Sequence, residues 1–195
     1  MLRLPKWLRS TKKNIQQDPP RTPAFSFAGV TEHGLEQMLK YGKASSSLAG
    51  YESKKFIELP YGVIRKDLPT LQKKELFMES ILLILGCQFN DVDLSSASQN
   101  EMMSFLLWIK EQQTFIYKIE EVHLASDPDP EMMAAGLHLL DEFGALSTIH
   151  QLAGSDTLKH PAIEALPYFK VYEILKLENV QRQIHKNHAE IIKNK

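Results

Sequence analysis

Apolar residues recur at three- and four-residue intervals along most of this chain, which is the pattern of helices that each bury one face. Leu71, Leu76, Phe77, Ile81, Leu82 and Leu85 predict a single helix over 70–85, entered from Pro69 with Thr70 as its cap and stopped by Gly86. Ser98 and Glu101 stand at capping-box spacing, so a second helix is expected from there to about His123. Its first half, MMSFLLWI, is apolar all round and predicts burial on most sides. Its second half keeps Phe115, Ile116, Ile119 and Val122 on one side. Met132, Met133, Gly136, Leu137, Leu140 and Phe143 then repeat at helical spacing from the punctuated start SDPDPE to Gly144. Short helices are expected over 147–153, stopped by Gly154, and over 161–166. From Pro167 onward there is no further Pro or Gly, so one helix is expected to about Lys193. An upstream helix over 32–41, a flexible link over 44–50, a short helix or strand over 54–59 and a loop over 89–97 complete the expected elements.

The expected fold is therefore all-α: a compact helical bundle with an extended basic N-terminal arm and a long C-terminal helix. It divides into an arm over 1–28, a helical core over 29–166 and a terminal helix over 167–195 that partly projects. The arm contains Pro5, Pro19, Pro20 and Pro23 and few packing residues. The terminal helix carries Val171, Ile174 and Leu175 on one face early on. It then carries a thinner stripe, Leu177, Val180, Ile184 and Ile191, amid polar residues, suited to docking on a neighbour. One short internal echo is present. FIELPYGV (56–63) resembles AIEALPYFKV (162–171), and both read as a corner where proline opens a helix and Leu and Tyr pack on either side of the bend. Two such short copies do not define a repeat architecture.

Charge changes this picture more than composition does. The net charge of −1 hides an asymmetry, because 1–28 holds Arg3, Lys6, Arg9, Lys12, Lys13 and Arg21 against Asp18 alone. The arm is thus +5 and the remainder −6. A positive arm suits an acidic partner: a protein subunit, nucleic acid or a membrane surface. Trp7 is available there for stacking on bases. No apolar run reaches the length of a membrane span, since 81–86 and 102–109 are the longest. The first residues lack the apolar region of a secretory signal, and Pro5 interrupts the helix a mitochondrial presequence would need.

Chemistry-bearing motifs do not assemble into a site. The single cysteine, Cys87, cannot form an internal disulfide, and after the apolar run 81–85 it reads as a small core hydrophobe. His185 and His188 can share a helix face but have no third ligand at a fitting spacing. Glu120 and His123 have the Glu-x-x-His spacing of di-iron bundles without the second such motif. Asp127, Asp129 and Glu131 alternate like the start of a calcium loop, yet Met132 stands where its glycine belongs and His138 where its last Glu belongs. His138 and Glu142, four apart, read as an ordinary helix-surface pair. No metal or cofactor is expected. An enzyme with a dispersed active site is the remaining catalytic alternative.

The stretch over 119–171, above all DPDPEMMAAGLHLLDEFGALSTIHQLAGSDTLKHPAIEALPYFKV, resembles small helical proteins encoded among the structural genes of tailed bacteriophages. The shared pattern is acid-Pro-acid, a Met/Ala-rich helix, FG-L-TI--LA and then LPY--V. The resemblance implies a virion or assembly role, such as a connector, tail component or assembly chaperone, with the host cytoplasm and then the virion as its location. It implies protein subunits as partners and brings no catalytic residue. The expected contact elements are the arm residues Arg3, Lys6, Trp7, Arg9, Lys12, Lys13 and Arg21, and the helix stripe Leu177, Val180, Ile184 and Ile191. A nucleic-acid-associated protein that binds through the arm is the alternative.

Overall fold

A computed structural model describes residues 42–125 and 130–193. The arm and the expected helix over 32–41 lie outside the described residues. The fold is all-α, with one two-stranded hairpin among the described residues. That hairpin corrects the expectation of a flexible link. Strands β1 (Ser47–Leu48) and β2 (Tyr51–Glu52) pair antiparallel around a tight turn. Ala49 and Gly50 both have positive φ there, as a hairpin turn of matching twist requires. The Glu52 carboxylate accepts from the Ser46 and Ser47 hydroxyls, which lowers its pKa, and Leu48 anchors the hairpin in the core.

Two antiparallel-paired corners set the course of the helices. Leu59-Pro60-Tyr61 lies alongside Leu166-Pro167-Tyr168, with Pro60 bridged to Pro167. The Tyr61 N–H donates to the Leu166 carbonyl at 2.7 Å, and the Tyr168 N–H donates to the Leu59 carbonyl at 2.9 Å. In such a bridge the central residues face each other without hydrogen bonds and their successors supply the donors. Proline, having no N–H, fits the central place at no loss. Each proline carbonyl then accepts from the first turn of a helix, Pro60 from Ile64 and Pro167 from Lys170 and Val171. Leu59, Tyr61 and Tyr168 are buried, and the two tyrosine rings stack at 6.2 Å with 11° between planes. The sequence echo is thus one structural clasp, each copy completing the other.

The helix that leaves Tyr61 widens to a π turn over Val63–Asp67 before continuing as α1 (Leu68–Lys73). The cause is Pro69. Inside a helix its ring collides with the carbonyl four residues back, here Arg65, and a five-residue turn relieves the collision. The Leu68 N–H accordingly reaches the Val63 carbonyl. Thr70 therefore does not cap a helix; its hydroxyl donates to the Lys66 carbonyl.

The single helix expected over 70–85 is two. After α1, the Leu76 N–H bonds the Leu71 carbonyl and the Glu75 N–H bonds the Gln72 carbonyl, with Glu75 at φ +57°. This is a Schellman stop with glutamate in the left-handed position that glycine ordinarily takes. Helix α2 (Phe77–Gly86) comes next, and buried Ser80 satisfies its hydroxyl on the Leu76 carbonyl.

Helix α3 (Gln99–His123) begins with the expected capping box: Ser98 and Glu101 each serve the other's backbone N–H. Its first half is the core of the molecule, with Met102, Phe105, Leu107 and Ile109 buried, and Trp108 set edge-on to Phe56 at 5.6 Å. Gln113 is buried as well and exchanges two hydrogen bonds with Gln72, at 2.9 and 3.0 Å, so this pair carries no unmet polar group. The second half departs from expectation: Ile116 is buried, but Phe115 and Val122 are exposed.

The apolar repeat up to Gly144 does not form one core helix either. It breaks into α4 (Pro130–Ala134) and a 3-10 helix, Leu137–Phe143, because Gly136 turns the chain at φ +98°. None of these residues is buried. Helix α5 (Ala145–Leu152) ends as expected at Gly154, φ +62°, with the same pair of stop hydrogen bonds as α1. Helix α6 (His160–Glu164) leads into the clasp, and α7 (Tyr168–Lys193) leaves it.

At Gly62 the clasp is tight, since a Cβ there would lie 2.9 Å from Glu164 Cβ. Overpacking of this kind costs about 1–3 kcal/mol, against a helix-propensity gain of up to about 1 kcal/mol. Gly62→Ala is therefore expected to lower urea-unfolding stability by about 1 kcal/mol, the difference of those terms. Gly86→Ala, with open space around it, is expected to be neutral or slightly stabilising in the same measurement.

Candidate partner-binding surface

Helix α7 is held firmly at one end only. Tyr168 and Val171 are buried beside α3 and the first corner. The Tyr168 hydroxyl donates to Glu120 Oε1 at 2.8 Å, and Arg65 from the π turn meets Glu120 Oε2 at 3.4 Å. The Arg65 guanidinium also lies 5.3 Å from the Tyr117 ring centre, a cation–π contact. Its Nε is buried with no hydrogen-bond partner among the described residues. Burial, then the adjacent Glu120 carboxylate, push the Tyr168 phenol far above its ordinary value. Burial raises Tyr61 as well, and Tyr172 in the same direction.

A second ring of contacts lies one turn further on. The Tyr172 hydroxyl meets His123 Nδ1 at 2.5 Å, and Asn179 Nδ2 donates to the His123 carbonyl at 2.9 Å, which satisfies the C-terminus of α3. Gln151 of α5 bonds Glu178 at 3.0 Å. Glu120 and His123, which share the Glu-x-x-His spacing, are thus occupied with tyrosines and arginine. Among the described residues no group of three His, Cys, Asp or Glu side chains is placed to hold a metal ion.

Beyond Val180 the helix stands clear. Every described residue from Gln181 on is exposed. Leu177, Val180, Ile184 and Ile191 are 58%, 50%, 60% and 57% exposed, which for large apolar side chains marks a face left without a cover. At 100° per residue these four fall within a sector about 60° wide, with Asn187 on the same seam. Their spacing of three, four and seven residues is that of a coiled-coil seam, and Asn187 takes its one polar place. His185 and His188, on the same helix, are exposed. Nearer the clasp a shallow open groove of about 370 Å³ is lined by Phe169, Lys170, Glu173, Ile174 and Leu177.

The structure therefore brings Leu177, Val180, Ile184 and Ile191 onto one accessible surface. The arm candidates Arg3, Lys6, Trp7, Arg9, Lys12, Lys13 and Arg21, and the acids Asp127 and Asp129, lie outside the described residues. Cys87 is corrected from core hydrophobe to exposed position, for it falls just past the buried turn of α2. Its thiol still donates to the Ile84 carbonyl at 3.2 Å, and partial burial of the sulfur raises its pKa. That is the opposite of what activates a thiolate.

A further exposed apolar surface lies over 130–146, where helical spacing pointed to core. Met132, Met133, Leu139, Leu140, Phe143 and Leu146 are all exposed. Gly136 was the available signal that the helix breaks. None of the described helices is long and apolar enough to cross a membrane. No family model, curated protein or solved structure matches this chain. The likeness to phage structural proteins accordingly stands on the sequence pattern alone.

The raised phenols give a pH dependence of definite sign. A phenol whose pKa is higher folded than unfolded contributes its full stabilisation below the unfolded value near ~10 and loses it as pH rises beyond that. Through Tyr168, the phenol pushed furthest, stability is expected to fall above that pH by about 1.4 kcal/mol per pH unit. In urea titrations across the alkaline range, Tyr168→Phe should flatten this slope. At neutral pH it should cost about 1–2 kcal/mol through the lost hydrogen bond to Glu120.

Proposed function

We propose that this protein is a non-enzymatic structural or assembly component of a larger complex and works through protein–protein contacts. The observation that carries the reading is the asymmetry of α7. One end is clamped by buried tyrosines and hydrogen bonds, while the other presents Leu177, Val180, Ile184 and Ile191 on a projecting helix. A helix so exposed is a docking element for a neighbouring helix, in which apolar anchors repeat along one face. The phage-like pattern over 119–171 directs the reading to a virion part, a connector, tail component or assembly chaperone. Its place would then be the host cytoplasm during assembly and the particle afterwards. The basic arm is the second contact element.

A specific feature favours one other reading, nucleic-acid association through the arm. Six basic groups and Trp7 within 1–28 suit phosphate contacts and base stacking. That reading requires duplex or single-strand binding that weakens steeply with salt and is lost when Arg9, Lys12 and Lys13 are neutralised.

Incorporation into the native complex tests the assembly proposal. Leu177→Lys combined with Ile184→Lys is expected to keep the helical circular-dichroism signal and the unfolding midpoint, because both positions are exposed. It is expected to reduce the native mass of the species containing the chain to that of the free protein. Removal of 1–28 should have the same effect. Variants that assemble as the wild type does would overturn the proposal.

A further inference from the structure

The exposed surface over 130–146 has a chemical character of its own, separate from the stripe on α7. A 3-10 helix has three residues per turn, so residues three apart eclipse. In Leu137–Phe143 this lines up Leu137, Leu140 and Phe143 as one apolar ridge. Exposed Met132 and Met133 stand beside it in the chain, and thioether side chains adapt to irregular partners. The charge here has one sign. No Lys or Arg occurs anywhere over 119–158, while exposed Asp141 and Glu142 lie within the 3-10 helix itself. An apolar ridge in an acidic setting fits a basic segment with interspersed large apolar residues.

The chain contains such a segment. Residues 1–17 hold no acid, and they set Leu2, Leu4, Trp7 and Leu8 among Arg3, Lys6, Arg9, Lys12 and Lys13. We propose that the 130–146 face is the docking surface for the chain's own basic arm, 1–28, which lies across it as an intramolecular latch. Reach permits this. Ser45 is tied to α3 by its N–H on the Ser104 carbonyl, 3.1 Å. From Ser104 to His123, where α3 ends, is about 28 Å at 1.5 Å per residue. With the helix expected over 32–41 the intervening segment 29–44 spans about 35 Å, and fully extended it spans more than about 50 Å. A tether of that length holds the arm at an effective concentration in the millimolar range, far above that of a second copy in dilute solution. The latch covers two surfaces at once. The latch does not depend on the assembly reading, since it can be present in the free chain whatever the chain later joins.

Site-specific photocrosslinking in the full-length chain tests it, with benzoylphenylalanine placed at position 7 in Trp7's stead and the products mapped by mass spectrometry. The expected adducts fall within 130–146, persist on tenfold dilution and, in mixtures of isotope-labelled and unlabelled protein, join residues of the same copy. The exposed double reversal Asp141→Lys with Glu142→Lys, checked for unchanged helicity and unfolding midpoint, is expected to cut their yield at least fivefold, as is raised salt. Adducts elsewhere, adducts between copies, or a yield indifferent to charge reversal would each overturn the latch.

Discussion

The structure turns on the pairing of two Leu-Pro-Tyr corners more than a hundred residues apart. Each proline sits where an antiparallel bridge asks for no donor, each following tyrosine supplies the N–H that its partner's leucine carbonyl accepts, and each proline carbonyl opens a helix. The clasp fixes where the helix through α1 and the terminal helix α7 begin, and it stacks Tyr61 on Tyr168. From that stack the hydroxyl of Tyr168 reaches Glu120 on α3, and Arg65 arrives from the π turn that Pro69 forces. Glu164, just before the second corner, closes the other side by pairing with Lys66 at 2.6 Å against Gly62. Three prolines and one glycine thus govern how the core helix, the first corner and the last helix meet.

This anchoring also accounts for the accessible surfaces. Contacts to α7 concentrate near its start and reach as far as Asn179, so the part of the apolar stripe beyond it, Val180, Ile184 and Ile191, is left exposed. The 130–146 stretch is exposed for a related reason: Gly136 ends α4 after a few residues, and Leu140 and Phe143 of the short 3-10 helix that follows stay half exposed. Two uncovered apolar faces and a strongly basic segment at the other end of the chain are the features on which the assembly role and the intramolecular latch rest.

Much of the fold is legible in the sequence, and where it fails the failures share a cause. Local signals held: the Ser98–Glu101 box, the stop at Gly154, and the uninterrupted run after Pro167 that becomes Tyr168–Lys193. The break after α1 was invisible because glutamate, Glu75, occupies the left-handed position where glycine would have announced it. The hairpin hid in a serine-rich stretch because two residues per strand carry no periodicity. The exposure of Phe115, Val122 and the 130–146 residues could not be read, since helical spacing shows that a face is apolar and is silent on whether anything covers it. The surface stripe of α7 was legible for the same residues that form it.

By itself, then, the sequence determined what depends on neighbours within a few positions: the all-α character, the caps and stops, the segregation of basic charge into 1–28, and the identity of the stripe. Tertiary structure alone decided what depends on residues far apart. It joined the two corners into one clasp, placed Glu120 and His123 against tyrosines, and left the end of α7 and the 130–146 ridge uncovered. The physical reason is that hydrogen bonding within a turn is set by local backbone geometry, whereas burial is a property of the surface opposite, which local sequence does not contain.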